Sequence, residues 1–237
     1  VWVLSYRGID GQVGSVVRIG RNGSDAVEEI LPLELQQGWL FDLFDKFKGK
    51  VTAPPGVHFG KASGKHSTVF LRASNTILST KASGLLAFFL MASLPKQNVR
   101  RILVDTAPLI SVAQALLRVA EVHGFWSERP PASSFSSYGG LDALSRLHKR
   151  DLVIISASTS GGLAERLVVL GASKSLVVTL YSLSSKGSQI NGLVVCDLTF
   201  APGKTFGYLP VENESHGSCK WCRQGYILAP LEGDQFL

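Results

Sequence analysis

Residues 151–162, DLVIISASTSGG, set an unbroken apolar run against a hydroxyl-rich loop that ends in two glycines. Leu152, Val153, Ile154 and Ile155 follow one another with no polar residue between them. A strand with one face in water alternates apolar and polar residues, so this one belongs in a parallel sheet covered on both faces. In such sheets ligands bind beyond the carboxyl ends of the strands, which here means residues 156–162. Ser156, Ser158, Thr159, Ser160, Gly161 and Gly162 can turn hydroxyls and backbone N–H groups towards an anion, at the positive end of a helix starting near Leu163. The same residues also read as an N-cap cluster that only starts that helix. Both readings fit the loop taken alone.

The chain of 237 residues, 45% of them hydrophobic, can bury one large core or a core plus an appendage, and its charge content is not that of a disordered chain. The net charge of +6 suits anionic partners. Its cations are scattered, with Arg100-Arg101 and His148-Lys149-Arg150 the tight clusters, so a phosphorylated small molecule fits as well as nucleic acid. The longest apolar run, residues 84–94, is short of the ~20 residues that span a bilayer, and the first residues do not read as a signal peptide. A cytoplasmic location is the expectation. A start at Val1 and an end at GDQFL read as a segment of a longer protein.

Residues 1–20 place the turn Gly8-Ile9-Asp10-Gly11 between β-rich runs, a hairpin signal. Residues 24–50 carry helical spacing, with Leu31, Leu33, Leu35, Trp39, Leu40, Leu43 and Phe47 on one stripe, before the breaker Pro54-Pro55-Gly56. From Val57 strands and helices alternate: HSTVFLRAS, a helix over 80–94, RILVDTA, a helix over 108–124, DLVIISA, a short helix from 163 to about 170, and SLVVTLYSL. This order predicts an α/β fold with a doubly wound, mostly parallel sheet and small β-rich appendages at both ends. The expected division is a hairpin and helix over 1–46, the α/β domain over 47–183, and a β-rich extension with a cysteine pair over 184–237.

Residues 60–71 read GKASGKHSTVFL. Ser63, Gly64, Lys65, His66, Ser67 and Phe70 resemble the opening signature of orotate-type phosphoribosyltransferases, a Lys-Ser-Gly-(Arg/Lys)-His-Ser run followed by an aromatic and an apolar residue. Val104-Asp105-Thr106-Ala107-Pro108 occupies the slot of that family's pyrophosphate loop, and residues 155–162 that of its 5'-phosphate loop. The resemblance covers roughly residues 47–183. It implies a type I phosphoribosyltransferase-like fold and, as ligand, phosphoribosyl pyrophosphate, a nucleotide or another phosphorylated ribose, with Mg2+ as companion ion and a homodimer or larger assembly. Lys65, Asp105, Thr106 and Tyr138 then join the loop as ligand contacts. Lys65 is the expected phosphate cation, and Asp105 stands either to hold Mg2+ or to cap the next helix.

The departures bear on catalysis. Ile155 and Ser156 stand where the family has an acidic pair for the ribose hydroxyls, and Ala62 replaces a lysine that Lys61, one place away, could supply. The family's mobile hood falls on residues 127–144, where Arg129 is the only cation and Tyr138-Gly139-Gly140 forms a turn that could meet a ligand. Phosphoribosyl transfer relies on positioning and preorganised charge, and each such group lost costs about 3 kcal/mol of barrier. A domain that binds phosphorylated ribose with the usual transfer weakened or lost is therefore expected. A non-catalytic nucleotide sensor or scaffold is the second reading. A third is an SIS-like sugar-phosphate module, whose Ser-rich strand and loop residues 151–162 also resemble.

His216, Cys219 and Cys222 form H-x-x-C-x-x-C, with the tight spacing of zinc ligands and a fourth donor to come from Cys196, Asp197 or another segment. The cysteine pair reads also as a redox couple or as two ordinary thiols. His66 is expected to shape its loop by hydrogen bonding, Glu165 and Arg166 to face solvent, and Trp39, Phe88, Phe89 and Phe125 to be core.

Overall fold

The computed structural model describes residues 2–7, 12–20, 23–27, 33–144, 146–184, 191–232 and 235–236. The chain opens with β1 (Trp2–Arg7), β2 (Gln12–Gly20) and β3 (Gly23–Val27), an antiparallel sheet, and α1 (Leu33–Lys46). Then come β4 (Lys50–Thr52), β5 (Val57–Gly60), β6 (Lys65–Ser67), β7 (Val69–Leu71), α2 (Thr80–Ser93), β8 (Arg101–Val104) and α3 (Ile110–Val122). They are followed by β9 (Ala132–Ser134), β10 (Asp151–Ser158), α4 (Gly162–Val169), β11 (Val177–Ser182) and β12 (Leu193–Asp197). The last elements are β13 (Glu214–Ser215), α5 (Lys220–Arg223), β14 (Ile227–Glu232) and β15 (Gln235–Phe236).

The apolar strand β10 is the middle of a five-stranded sheet in the order β12-β11-β10-β8-β9, with every neighbouring pair parallel. Its side chains alternate between two cores. Leu152 and Ile154 pack with α1, α2 and α3, while Val153 and Ile155 pack on the other face with Leu163, Ala164 and Leu167 of α4. Both faces are covered, which is why no polar residue interrupts the strand. Trp39 and Phe88 pack against the larger core, and Phe89 and Phe125 are buried within it. Ser79 starts α2 by accepting the Ala82 N–H at 3.2 Å.

Asp151, at the head of β10, is fully buried. Its carboxylate accepts bonds from Arg100 and Arg101, at 2.9 Å from the nearest guanidinium nitrogen of each, and from the His148 N–H at 3.0 Å. Burial acts to raise its pKa, but the His148 N–H and the two arginines outweigh it and hold the carboxyl below its ordinary value.

A second sheet, in the order β13-β6-β5-β14-β15, is mixed: only β5 and β14 run parallel. It corrects the expectation of one strand over HSTVFLRAS. That stretch divides at Thr68, with β6 pairing β5 and β13, and β7 pairing β4 in a separate ribbon. The expected helix over 24–50 is also shortened. Residues 23–27 pair with β2, and α1 is described over Leu33–Lys46. Leu31 and the turn at residues 8–11 lie outside the described residues.

Residues 127–144, the expected mobile hood, are instead built into the fold. β9 pairs with β8 as an edge strand, and Phe135 and Leu141 are buried beneath α4. Beyond residue 183 the chain supplies β12 to the parallel sheet and β14 to the mixed one. Among the described residues no helix is long and apolar enough to cross a membrane.

Candidate phosphate-binding site

The loop after β10 lines a cleft of about 100 Å³ together with Lys61, Ala62, Ser63, Asp105 and Tyr138. Two larger clefts open beside it. One, of about 530 Å³, runs along Tyr138, Arg166 and Lys65, and the other, of about 430 Å³, along Ser184 and Asn213.

Lys61 is placed by a tight hairpin. Its N–H donates to Lys65 O at 2.9 Å, and Gly64, at φ +74°, donates to Lys61 O at 2.9 Å. Thr159 Oγ1 and Asn213 Oδ1 accept from its ammonium at 3.0 and 2.7 Å. Both partners are neutral, and among the described residues no carboxylate pairs with it. Burial lowers its pKa to about 8. The cation expected at the cradle was Lys65, but its ammonium donates to Ser215 Oγ at 2.7 Å on β13 and lines the two neighbouring clefts.

The loop's own hydroxyls are partly committed. Ser158 Oγ accepts the Gly161 N–H at 2.8 Å and that of Ser160 at 3.4 Å, and Ser160 Oγ accepts that of Gly162 at 3.4 Å. These bonds are serine turns that tighten the loop before α4, whose N-cap, Gly161, makes no side-chain cap bond. Ser156 is tied differently: its N–H and Oγ donate to the two oxygens of Asp105 at 2.9 and 2.8 Å. The Asp105 carboxylate therefore fixes the end of β10, while Thr106 and Leu109, the N-caps of the 3-10 turn Ala107–Leu109 and of α3, make no side-chain cap bond. Thr106 itself is buried.

Tyr138 closes the loop from the other side. A Cβ added at Gly162 would lie 3.0 Å from its Oη, and Arg166 stacks on its ring at 5.5 Å. Burial raises its pKa, with Arg166 opposing and Glu165 reinforcing the shift. Gly161 holds φ +75°, a left-handed conformation that any side chain resists. Gly161→Ala is expected to cost about 1 kcal/mol, read as a lower urea midpoint at unchanged slope.

Asn213 is a site residue that sequence reasoning missed. It joins Lys61 to Thr159, accepting from Thr159 Oγ1 at 3.2 Å and donating to Thr159 O at 3.4 Å. Its surroundings, VENES, carry no motif.

The cysteine loop folds onto β5 and β6. His58, His66, Cys219 and Cys222 bring their donor atoms within 4.8 Å of one another, a set that could hold a metal ion such as zinc. Two expected ligands fall outside it. Cys196 is buried in the main core on β12, donates to Gln37 O at 3.9 Å, and has its thiol pKa pushed up mainly by burial. His216 stands behind the cluster, its Nδ1 3.2 Å from His66 Nε2. Burial lowers the pKa of both His58 and His66, favouring the neutral imidazole.

No protein-family model matches the chain, and no curated protein matches it. Among solved structures it is similar to the crystal structure of the Mycobacterium tuberculosis H37Rv orotate phosphoribosyltransferase in complex with Fe(III) dicitrate. Identity is 15% and the TM-score 0.39, over 69% of this chain and 97% of that one. A likeness of that size assigns neither ligand nor reaction.

Proposed function

We propose that the cleft at residues 156–162 binds the phosphate of a phosphorylated ribose, whether phosphoribosyl pyrophosphate, a nucleotide or a ribose phosphate, and that phosphoribosyl transfer is weakened or lost. The observation that carries this reading is Lys61, a largely buried ammonium with neutral partners at the carboxyl end of a parallel strand. A buried charge calls for a counter-charge, and an anion in the cleft supplies one. The cleft has the space of roughly three water molecules, which suits one phosphate group, and the larger cleft along Tyr138 and Arg166 leaves room for the rest of the ligand.

The acidic pair missing from two positions supports the reading of weak transfer. Ile155 is buried under α4 and Ser156 is bound to Asp105, so neither position offers a carboxylate to ribose. The sensor reading gains from Asn213: an anion that takes Lys61 would release this residue and alter the C-terminal segment that carries it. Incubation with phosphoribosyl pyrophosphate, Mg2+ and candidate bases tests both halves. The expected result is saturable binding with little or no pyrophosphate release. Turnover at ordinary enzyme rates would sink the second half, and preferential binding of hexose phosphates would favour the SIS-like module.

The pH dependence has a definite sign. A lysine with pKa near 8 is charged at neutral pH and loses its proton as the pH rises through about 8, while a phosphate monoester, with its second pKa near ~6, stays dianionic. Phosphate affinity is expected to fall at least several-fold between pH ~7 and ~9.5, as measured by calorimetry in one buffer series. Constant affinity over that range would remove Lys61 from the site.

A further inference from the structure

We propose that His58, His66, Cys219 and Cys222 bind one zinc ion through two imidazole nitrogens and two thiolates, and that the ion staples the chain beyond Asn213 onto the hairpin that carries Lys61. His58 Nε2, His66 Nδ1 and Cys222 Sγ form a triangle with sides of 3.1, 3.3 and 3.3 Å. Hydrogen bonds need near-linear donors, and the three edges of so small a triangle cannot all be made that way. A cation among them is met by every donor at once. Tetrahedral zinc, with bonds of about 2.0–2.3 Å, sets its ligands roughly 3.3–3.8 Å apart, close to these edges.

The fold delivers each donor separately. Gly60 pairs with His66 across the β5–β6 hairpin, so His58, two residues along β5, lies on the same face as His66. Cys219 caps the single turn of α5 and Cys222 lies within it, the Cys222 N–H donating to Cys219 Sγ at 3.4 Å. Trp221, buried between the two cysteines, stacks on the His58 ring with centroids 6.0 Å apart. His216 faces the far nitrogen of His66 and so holds its Nδ1 towards the cluster, the service a histidine ligand ordinarily receives from a neighbour.

Donor chemistry selects the metal. Two thiolates and two imidazoles suit zinc, whereas Mg2+ and Ca2+ take oxygen ligands. Two thiolate charges cancel the dication, and the two thiol protons pass to solvent as the ion enters. A helix of four residues does not hold itself in water. The ion fixes it and, through β13 beside His66, the adjoining Asn213.

The test is the metal content of untagged protein purified without chelator, with cobalt substitution as a second measurement on the wild type. About one equivalent of zinc is expected, and the cobalt form should show intense tetrahedral d–d bands with thiolate-to-cobalt charge transfer. Chelation should raise hydrogen exchange in residues 214–232 and leave β10 protected. Cys219→Ser and His58→Ala should lose the metal, Cys196→Ser should keep it, and His216→Ala should weaken it by about 10–100-fold without abolishing it. Less than about a tenth of an equivalent after anaerobic reconstitution, or a cobalt spectrum without charge transfer, would overturn the site. So would loss of the metal in Cys196→Ser with full retention in His58→Ala.

Discussion

Replacing Asp151 with Asn is expected to remove about 3 kcal/mol of stability, the lower end of the effect of breaking a buried ion pair. The carboxylate is fully buried and accepts from both arginines and from His148 N–H, so an amide of the same shape would leave two guanidinium groups facing a neutral group and turn its own N–H towards one of them. Water moderates the loss, because the Arg100 and Arg101 side chains remain 46% and 28% exposed. Urea unfolding of both proteins at neutral pH checks this, with a lower midpoint at an unchanged slope. The difference should shrink on acidification: with its folded pKa depressed, Asp151 contributes its stability at neutral pH and loses it as the pH falls through that depressed value. A loss below about 1 kcal/mol would show the pair to be no stronger than a surface one.

Lys61→Met is expected to separate binding from stability. The ammonium makes two hydrogen bonds to neutral oxygens and is largely buried, so a thioether of similar length should leave the fold as stable as before or more so. Phosphate binding should fall by about 10–100-fold, since a hydrogen bond to a charged group contributes roughly 1.5–3 kcal/mol. Thermal unfolding and calorimetric titration of the same two preparations read both quantities. A protein destabilised by more than ~1 kcal/mol with phosphate affinity intact would make Lys61 a strut between Thr159 and Asn213, with no part in ligand binding.

The parallel sheet was legible because burial on both faces writes itself into β10 as an uninterrupted apolar run, and α3 and β8 carry similarly plain patterns. The second sheet was not, because its strands are short and β6 and β7 follow each other with only Thr68 between them, so their division depends on partners far along the chain. Within the site the loop's hydroxyls and glycines were readable as a unit. That Lys61 meets Thr159 while Lys65 meets Ser215 was not, since it depends on which way the hairpin at residues 61–64 presents successive side chains. The cysteine pair was visible as a spacing, but its histidine partners lie over 150 residues upstream. A hairpin folded at KASG places His58 and His66 together, and that signal was available in GVHFGKASGKHS. Nothing near Asn213 marks it, because its role comes from where the C-terminal segment returns.

Calorimetric titration of the wild-type protein with ribose 5-phosphate at neutral pH, with ribose as the control, decides whether the cleft takes a phosphate ester. Saturable binding of the phosphate ester, none of ribose, and loss of the signal in Lys61→Met are expected. Absence of binding by ribose 5-phosphate, or equal binding by ribose, would contradict the proposed binding.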